Sequence, residues 1–427
     1  MTTTVPTEVS DDDFAEILNQ TRQFVRNVVV PRENEILAED QVPDDIRDQA
    51  MKMGLFGYAI PQEWGGLGLN LAQDVELAME LGYTSLALRS MFGTNNGIAG
   101  QVLVGFGTDE QKSRWLEGIA SGDVVASFAL TEPGAGSNPS GLKARAVRDG
   151  DGWVINGRKY FSSNASVASF FIVVAITDPD VPVHRGASTF LIPAGTPGVN
   201  IEATHHLVGS LPHEAGHSLI HYDNVRVPAS AMLGEPGHGF EILQARLAGG
   251  RIHHAMRSLG LAQRALEMMA HRAKSRFTQG SLLADKQLVQ EFIADSYTEL
   301  LQFRLTVLHA AWLIDTAGEH AARKEIGACK ILASSVLKSI GLRAIQVHGA
   351  MGMTEQMPLI NVLLGGVALG LADGPTEAHK VNLARMYLKD YQAEDPEWPS
   401  EFADVRIAAA KTKYGDRIDR IPALPRS

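Results

Sequence analysis

The decapeptide LADGPTEAHK, residues 371 to 380, sets a carboxylate at a break in the chain. It follows an apolar run from Val362 to Leu371 interrupted only by Gly365, Gly366 and Gly370. Asp373-Gly374-Pro375 stops any helix, because Gly is a poor helix former and Pro disfavours a helical residue before it. Asp before Gly-Pro is ordinary turn chemistry. Whether this acid also does acid–base work depends on what else the chain provides.

Four other stretches carry groups that could do chemistry. FALTEPGAGSN, residues 128 to 138, leaves a strand for a loop with Gly134, Ala135 and Gly136, which would expose backbone N–H groups to a ligand. It lacks the third glycine of a dinucleotide fingerprint, and a plain Gly-Pro turn is the competing reading. GRKYFSSN, residues 157 to 164, puts Phe161 beside the hydroxyls of Ser162 and Ser163, as a core aromatic next to surface serines would also do. Arg251 stands among Leu247, Ile252 and Ala255 just after Gly249-Gly250, which is expected to open a helix; the charge asks for a partner carboxylate or a solvated helix end. The adjacent His253 and His254 point in different directions on a helix, and no second ligand pair follows, so a metal site is not expected. Gln346 to Gly352 reads as a helix end in a glycine turn.

The elements that would position these groups fall into regions. The chain has 427 residues, 45% hydrophobic, with a formal charge of −11, enough for two or three domains and a large core. The acidity and the lack of a basic patch argue against nucleic-acid binding. Cys329 is the only cysteine, so no intrachain disulfide forms and a cytoplasmic setting is the simplest expectation. The polar N-terminus MTTTVPTEVSDDD has no apolar signal core, and no stretch reaches the roughly 20 apolar residues of a membrane span.

Residues 1–125 read as mainly helical, with one segment ended by Pro31 and another running from Pro43-Asp44 to Met53. Residues 126–238 hold short β-rich runs punctuated by Asp149-Gly150-Asp151-Gly152 and by Asn156-Gly157, the latter expected as a two-residue hairpin turn in a mainly antiparallel domain. Residues 239–391 are helical again: Ser281 to Ala317 has no Gly or Pro, and Val289, Ile293, Tyr297, Leu300, Val307, Ala311 and Ile314 mark a helical stripe. Residues 392–427, with Pro396 and Pro399 near one end and Pro422 and Pro425 near the other, read as an appendage.

Together the quoted motifs resemble one family from about residue 12 to residue 390, the acyl-CoA dehydrogenases. FALTEPGAGSN is similar to its central signature and DGWVINGRKYFSSN to its second flavin-contacting strand. HYDNVRVPASAMLGEPGHGFEILQARLAGGRI resembles its passage from β domain to C-terminal bundle. The resemblance implies an α+β multidomain fold: an N-terminal α-helical domain, a middle β-barrel domain and a C-terminal four-helix bundle. FAD would lie between barrel and bundle, in a homodimer or homotetramer. Phe128, Leu130, Thr131, Gly136 and Ser137 would border the flavin ring, with Phe161, Ser162 and Ser163 contributed by the second flavin-contacting strand. Arg276 and Thr278 would meet the pyrophosphate of a neighbouring subunit's cofactor; Gln346, Val347, Gly349 and Ala350 would hold the adenosine end, and Gln287, Pro375 and Glu377 complete the cofactor set. Gln279 replaces the usual Phe near the adenine.

In this reading DGPTE takes the place of the family's Glu-Gly-Thr-Ser-Glu, and Asp373 becomes the catalytic base. The alternative base position, just before Arg251, is Gly250. Ser137, Gly250, Arg251 and Gly374 would line the acyl-CoA, with Arg251 bracing base or substrate. Asp373 would lie in apolar surroundings that raise its pKa toward the working range. The implied reaction is conversion of an acyl-CoA to a trans-2-enoyl-CoA in fatty acid metabolism, with electrons leaving to electron-transferring flavoprotein. Asp in place of Glu, together with GRIHHAMRSLGLAQRALEMM, resembles the subgroup related to aminoglycoside-phosphotransferase-like fusions. One departure stands out: the family's charged Arg-Asp-Ala segment before the base is here LLGGVA, residues 363 to 368. Rival readings on the same fold are a flavin oxidase resembling nitroalkane oxidase, an acyl-CoA oxidase, and a relative that binds FAD or acyl-CoA without turnover.

Overall fold

The computed structural model describes residues 9–39, 41–207, 216–392 and 397–415, the side chains of Leu86 and residues 245–249 excepted. The first eight residues, the Leu247 side chain, Pro396, Pro422 and Pro425 lie outside the described residues. The chain forms two compact units, Met1–Lys380 and Val381–Ser427, divided within one helix.

The first unit begins with seven helices: α1 (Asp11–Phe24), α2 (Glu33–Glu39), α3 (Asp44–Lys52), α4 (Leu71–Leu81), α5 (Leu86–Thr94), α6 (Gln101–Phe106) and α7 (Asp109–Ser121). Ser10 caps α1 by accepting from the Asp13 amide, and the acids at 11 to 13 sit in its first turn where the helix dipole favours them. Asn70 and Thr108 open α4 and α7 with full capping boxes. Pro31 does not end the first segment. Helical turns run on through it, since a proline in the first turn of a new helical stretch has no N–H to lose.

The strands are β1 (Ala126–Ala129), β2 (Arg145–Asp149), β3 (Gly152–Ser163), β4 (Phe170–Ile176), β5 (Ala187–Pro193), β6 (Val199–His205), β7 (His217–Pro228) and β8 (Met232–Leu233), with the short helix α8 (Val183–Gly186) before β5. They make one mixed sheet in the order β6-β7-β3-β2-β4-β5-β8, with β1 parallel to β4. Trp153, Ile155, Phe171, Val173, Phe190, Ile220 and Tyr222 fill one common core from four of these strands, so the sheet curls around it. Asn156-Gly157 is not a hairpin turn. β3 runs straight through it with a bulge, and the turn is Gly150-Asp151, between the paired Asp149 and Gly152. Gly157 is needed for another reason: a Cβ there would stand 2.7 Å from the Ala144 Cα.

The bundle is built from α9 (Gly239–Ser275), α10 (Gln287–Ala317), α11 (Arg323–His348) and α12 (Leu359–Leu369), followed by α13 (Thr376–Leu388). Helix α9 has 37 residues, about 55 Å at 1.5 Å per residue, and Gly249-Gly250 lie inside it instead of opening it. The backbone from Ser281 first forms a hairpin, β9 (Phe277–Thr278) with β10 (Ser281–Leu282), before α10 starts at Gln287. Tyr297 departs from the expected apolar stripe: it is 61% exposed, while Leu300, Phe303 and Val307 are buried. Helix α12 packs against α11 at van der Waals range through glycine. A Cβ on Gly366 would stand 2.9 Å from the Lys338 backbone nitrogen, and one on Gly341 would stand 3.1 Å from that of Leu363. The LLGGVA segment is thus an apolar helix shaped for close approach, and a longer or charged residue at Gly366 would push it off α11.

In the second unit α14 (Ala403–Tyr414) buries none of its residues, and Trp398 stacks on Phe402 with ring centroids 4.7 Å apart.

Candidate active site

Asp373 sits between α12 and α13 with φ +51°, a left-handed backbone that Asp tolerates better than most residues. Three backbone contacts fix this loop without using the carboxylate. The Lys330 ammonium donates to the Leu369 carbonyl at the end of α12. The Thr376 amide donates to the Gly370 carbonyl at 2.9 Å, and His379 Nε2 donates to the Asp373 carbonyl at 3.2 Å. Cation and amide thereby satisfy the last carbonyls of α12, where the helix dipole favours positive charge. Gly374, with φ +95°, has room only for hydrogen, since a Cβ would meet His379 Nε2 at 3.0 Å.

The carboxylate itself meets α9. Asp373 Oδ2 lies 2.9 Å from His254 Nε2, with only 13% and 19% of the two side chains exposed. Burial, then the nearby Arg257 charge, pushes the His254 imidazole down to about 4 against the pull of Asp373, so it is neutral near pH 7. Burial also pushes Lys330 down to about 8, opposed by Asp373, and Arg257 down to about 9. The Arg251 charge lowers Lys330 and His379, which places it beside the same loop. The expected apolar surroundings of Asp373 are therefore absent: it faces imidazole and cationic groups drawn from three helices.

His253 turns the other way. Its Nδ1 lies 2.9 Å from an Arg89 nitrogen and its Nε2 3.3 Å from Asp74 Oδ2, a buried cluster joining α9 to α4 and α5. Burial holds Asp74 up at about 7 and His253 well below its usual range. The sequence reading considered both histidines only as metal ligands. Their adjacency on a helix, roughly 100° apart, was the available signal that each has its own carboxylate. Among the described residues no group of three or more His, Cys, Asp or Glu could hold a metal.

The residues read as flavin-bordering meet at the β1–β3 junction. Phe128 is buried, the Leu130 carbonyl accepts from Lys159 Nζ at 2.9 Å, and the Thr131 carbonyl accepts from the Tyr160 amide at 2.7 Å. Gly136 and Ser137 are exposed in the loop beyond. Lys159 is fully buried and pairs with Glu132 at 2.8 Å, while Glu132 also accepts from the Lys143 and Ala144 amides at 2.7 and 2.9 Å. This ionic post holds the loop, and the sequence reading missed it. Phe161 is 53% exposed on a left-handed backbone, φ +54°, at a register shift in β3. The buried Ser162 hydroxyl has no hydrogen-bond partner. Ser163 Oγ lies 3.0 Å from His217 Nδ1, and its carbonyl accepts from Ser127 Oγ at 2.7 Å.

An outward aromatic held in a rare conformation, an unsatisfied buried hydroxyl and an exposed glycine loop fit a planar, hydrogen-bonding ring system such as a flavin. Arg257 ties this surface to the acid: its charge lowers His217, which burial pushes down to about 4, and it interacts with Asp373. Gly250 is buried in α9 next to Arg251.

The remaining candidates lie on other elements. Arg276 follows α9, its carbonyl accepting from the Leu283 amide at 2.9 Å; Thr278 pairs with Ser281 in the hairpin, and Gln287 is the exposed first residue of α10. Gln346 and Ala350 are exposed at the end of α11, flanking buried Val347 and the left-handed Gly349. Arg272 lowers the His348 pKa, after burial, which brings the ends of α9 and α11 close together. The Pro375 carbonyl accepts from the Ala378 amide at 3.0 Å, and Glu377 is exposed in the first turn of α13.

Sequence profiles of the acyl-CoA dehydrogenase N-terminal, middle and C-terminal domains match residues 11–123, 127–225 and 237–388. Acyl-CoA dehydrogenase family member 11 of Rattus norvegicus is 35% identical over 395 residues, covering 88% of this chain and 50% of its own length. The chain thus spans about half the length of that relative. FadE2 of Mycobacterium tuberculosis is 38% identical over 351 residues, covering 81% of this chain and 85% of its own. The structure of butyryl-CoA dehydrogenase from Megasphaera elsdenii superposes with a TM-score of 0.83 at 26% identity, covering 89% of this chain and 99% of that one. No helix among the described residues is long and apolar enough to cross a membrane. With this fold and these domains in register, the chain belongs to the acyl-CoA dehydrogenase family, a family of FAD-dependent oxidoreductases.

Proposed function

We propose that the protein dehydrogenates an acyl-CoA thioester between Cα and Cβ, with Asp373 as the base that takes the α-proton. The observation that carries this is the placement of Asp373: a shielded carboxylate on a left-handed loop, bonded to a neutral imidazole and linked through Arg257 to the Ser163–His217 edge. Bound FAD supplies the acceptor for the β-hydride. Phe128, Leu130, Thr131, Gly136, Ser137, Phe161, Ser162 and Ser163 would hold its ring. Arg276, Thr278, Gln287, Gln346, Val347, Gly349, Ala350, Pro375 and Glu377 would hold the remainder. Ser137, Gly250, Arg251 and Gly374 would line the thioester. Proton abstraction next to a thioester needs the base aligned and water kept out, and the part-buried Asp373–His254 contact supplies the alignment.

The segments 1–125, 126–238, 239–391 and 392–427 remain our functional division of the chain. Exposed Tyr297, Leu301, Leu305 and Trp312 share a face of α10 and suit a homo-oligomer, dimer or tetramer. Electron-transferring flavoprotein as acceptor, a role in fatty acid metabolism and a cytoplasmic site complete the proposal. The test is Asp373→Asn, nearly isosteric and equally suited to a turn. It should keep flavin and bind acyl-CoA, yet reduce its flavin anaerobically roughly 10²–10⁴-fold more slowly across a panel of acyl-CoAs. Reduction at the parent rate would return Asp373 to a turn residue, and rapid hydrogen peroxide formation by the parent would favour an oxidase.

A further inference from the structure

We infer that His254 is the positioning residue of the base: its Nε2–H holds Asp373 Oδ2 so that the carboxylate keeps one orientation on its left-handed backbone. The inference rests on the reading of Asp373 as base.

The loop does not need this bond to keep its shape. Its backbone is already fixed by Lys330 on the Leu369 carbonyl, Thr376 on the Gly370 carbonyl and His379 on the Asp373 carbonyl. The contact between His254 and Asp373 engages a side-chain oxygen, and so acts on where the acid points. An aspartate is shorter than a glutamate by one methylene, and an error of about 1 Å in a reacting group costs on the order of 100-fold. A shorter acid gains from a fixed donor on a rigid element, and α9 is that element: Ile252, Ala255 and Met256 around His254 are buried, and Ser258 Oγ donates to its carbonyl at 2.6 Å. The neighbouring His253 is committed to Arg89 and Asp74 and cannot substitute.

The charges around the pair set the protonation. His254 faces Arg257 from its own helix, Lys330 from α11 and Asp373 from the loop, with Arg251 and His379 beyond. Arg257 and Lys330 oppose an imidazolium there, as does burial. A neutral imidazole bonded to an ionised carboxylate must carry its proton on Nε2. That donor stabilises the carboxylate, and its removal raises the pH at which the base becomes active.

Three measurements test this. In protein labelled with ¹⁵N-histidine and free of substrate, His254 should show the Nε2–H tautomer from pH 6 to 8; an imidazolium or an Nδ1–H form overturns the inference. His254→Leu should slow anaerobic flavin reduction about 10–100-fold, leave acyl-CoA binding within about threefold, and move the acid limb of the reduction profile up by about one pH unit. His254→Gln, which keeps an N–H donor, should recover most of the rate and the acid limb. Equal losses in the two variants, or a parental rate and limb in His254→Leu, refute the positioning role. Should the leucine variant fail to fold, the tautomer and the limb of the glutamine variant decide. Asp373→Asn separates the two readings. If it is slow while His254→Leu matches the parent, only the inference about His254 fails; if it reduces flavin at the parent rate, the base reading fails first.

Discussion

Replacing Glu132 by Gln removes the partner of a fully buried lysine while keeping shape and an acceptor for the Lys143 or Ala144 amide. Lys159 is pushed down to about 8 by burial even with Glu132 beside it, so the pair only partly offsets the cost of burying the ammonium. Breaking such a pair from one side typically costs about 3–5 kcal/mol. The cation has one escape, losing its proton. Because Lys159 in the parent already gives up its proton at about 8, that escape costs about 1.4 kcal/mol at pH 7 at roughly 1.36 kcal/mol per unit; this is the pH-dependent part of the loss, beside the second amide acceptor that Gln cannot supply. The pH dependence has a definite sign. In the variant the folded-state pKa of Lys159 falls further below 8, while the unfolded chain still binds the proton, so variant stability rises with pH. The parent gains in the same way only above about pH 8. The deficit measured by urea unfolding should therefore be about 3 kcal/mol or more at pH 7, shrink by up to about 1.4 kcal/mol per unit from pH 6 to 8, and stay level above that. Flavin retention should fall with it, because the same pair anchors Leu130 and the loop reaching Ser137. A deficit under about 1 kcal/mol at pH 7, or one that grows between pH 6 and 8, would refute this account of the loop.

Gly366→Ala would drive a methyl into the α11 backbone and should destabilise the protein by about 1–3 kcal/mol by thermal unfolding. Flavin reduction should also slow, since the end of α12 carries the Asp373 loop. His217 is pushed down to about 4 against an unfolded value of 6.5, so its contribution to stability is complete above pH 6.5 and is lost as pH falls. Relative to the parent, His217→Gln should therefore gain about 2 kcal/mol between pH 8 and 5; an unchanged gap in urea midpoints across that range would contradict a neutral His217.

Much of this protein is legible one residue after another. The capped starts of α1 and α4, the apolar periodicity of the bundle helices and the β-rich runs of the middle region follow from local propensity and spacing, which act within a few residues. The ordered motifs FALTEPGAGSN, GRKYFSSN and DGPTE carried the family in the same way. Local signals misled where a longer-range contact outweighed them. Asn156-Gly157 has the chemistry of a turn, yet pairing with β7 keeps it in a strand. Gly249-Gly250 resembles a helix start, yet the packing of α9 carries the helix through. What the tertiary structure alone decided is the company of the reactive groups. Asp373 and His254 are 119 residues apart in sequence, and Glu132 and Lys159 are 27 apart. Nothing local distinguishes the histidine that faces the acid from the one beside it. Helix phase sends the two side chains to opposite neighbours, and the glycine-tight packing of α12 on α11 brings the Asp373 loop to one of them.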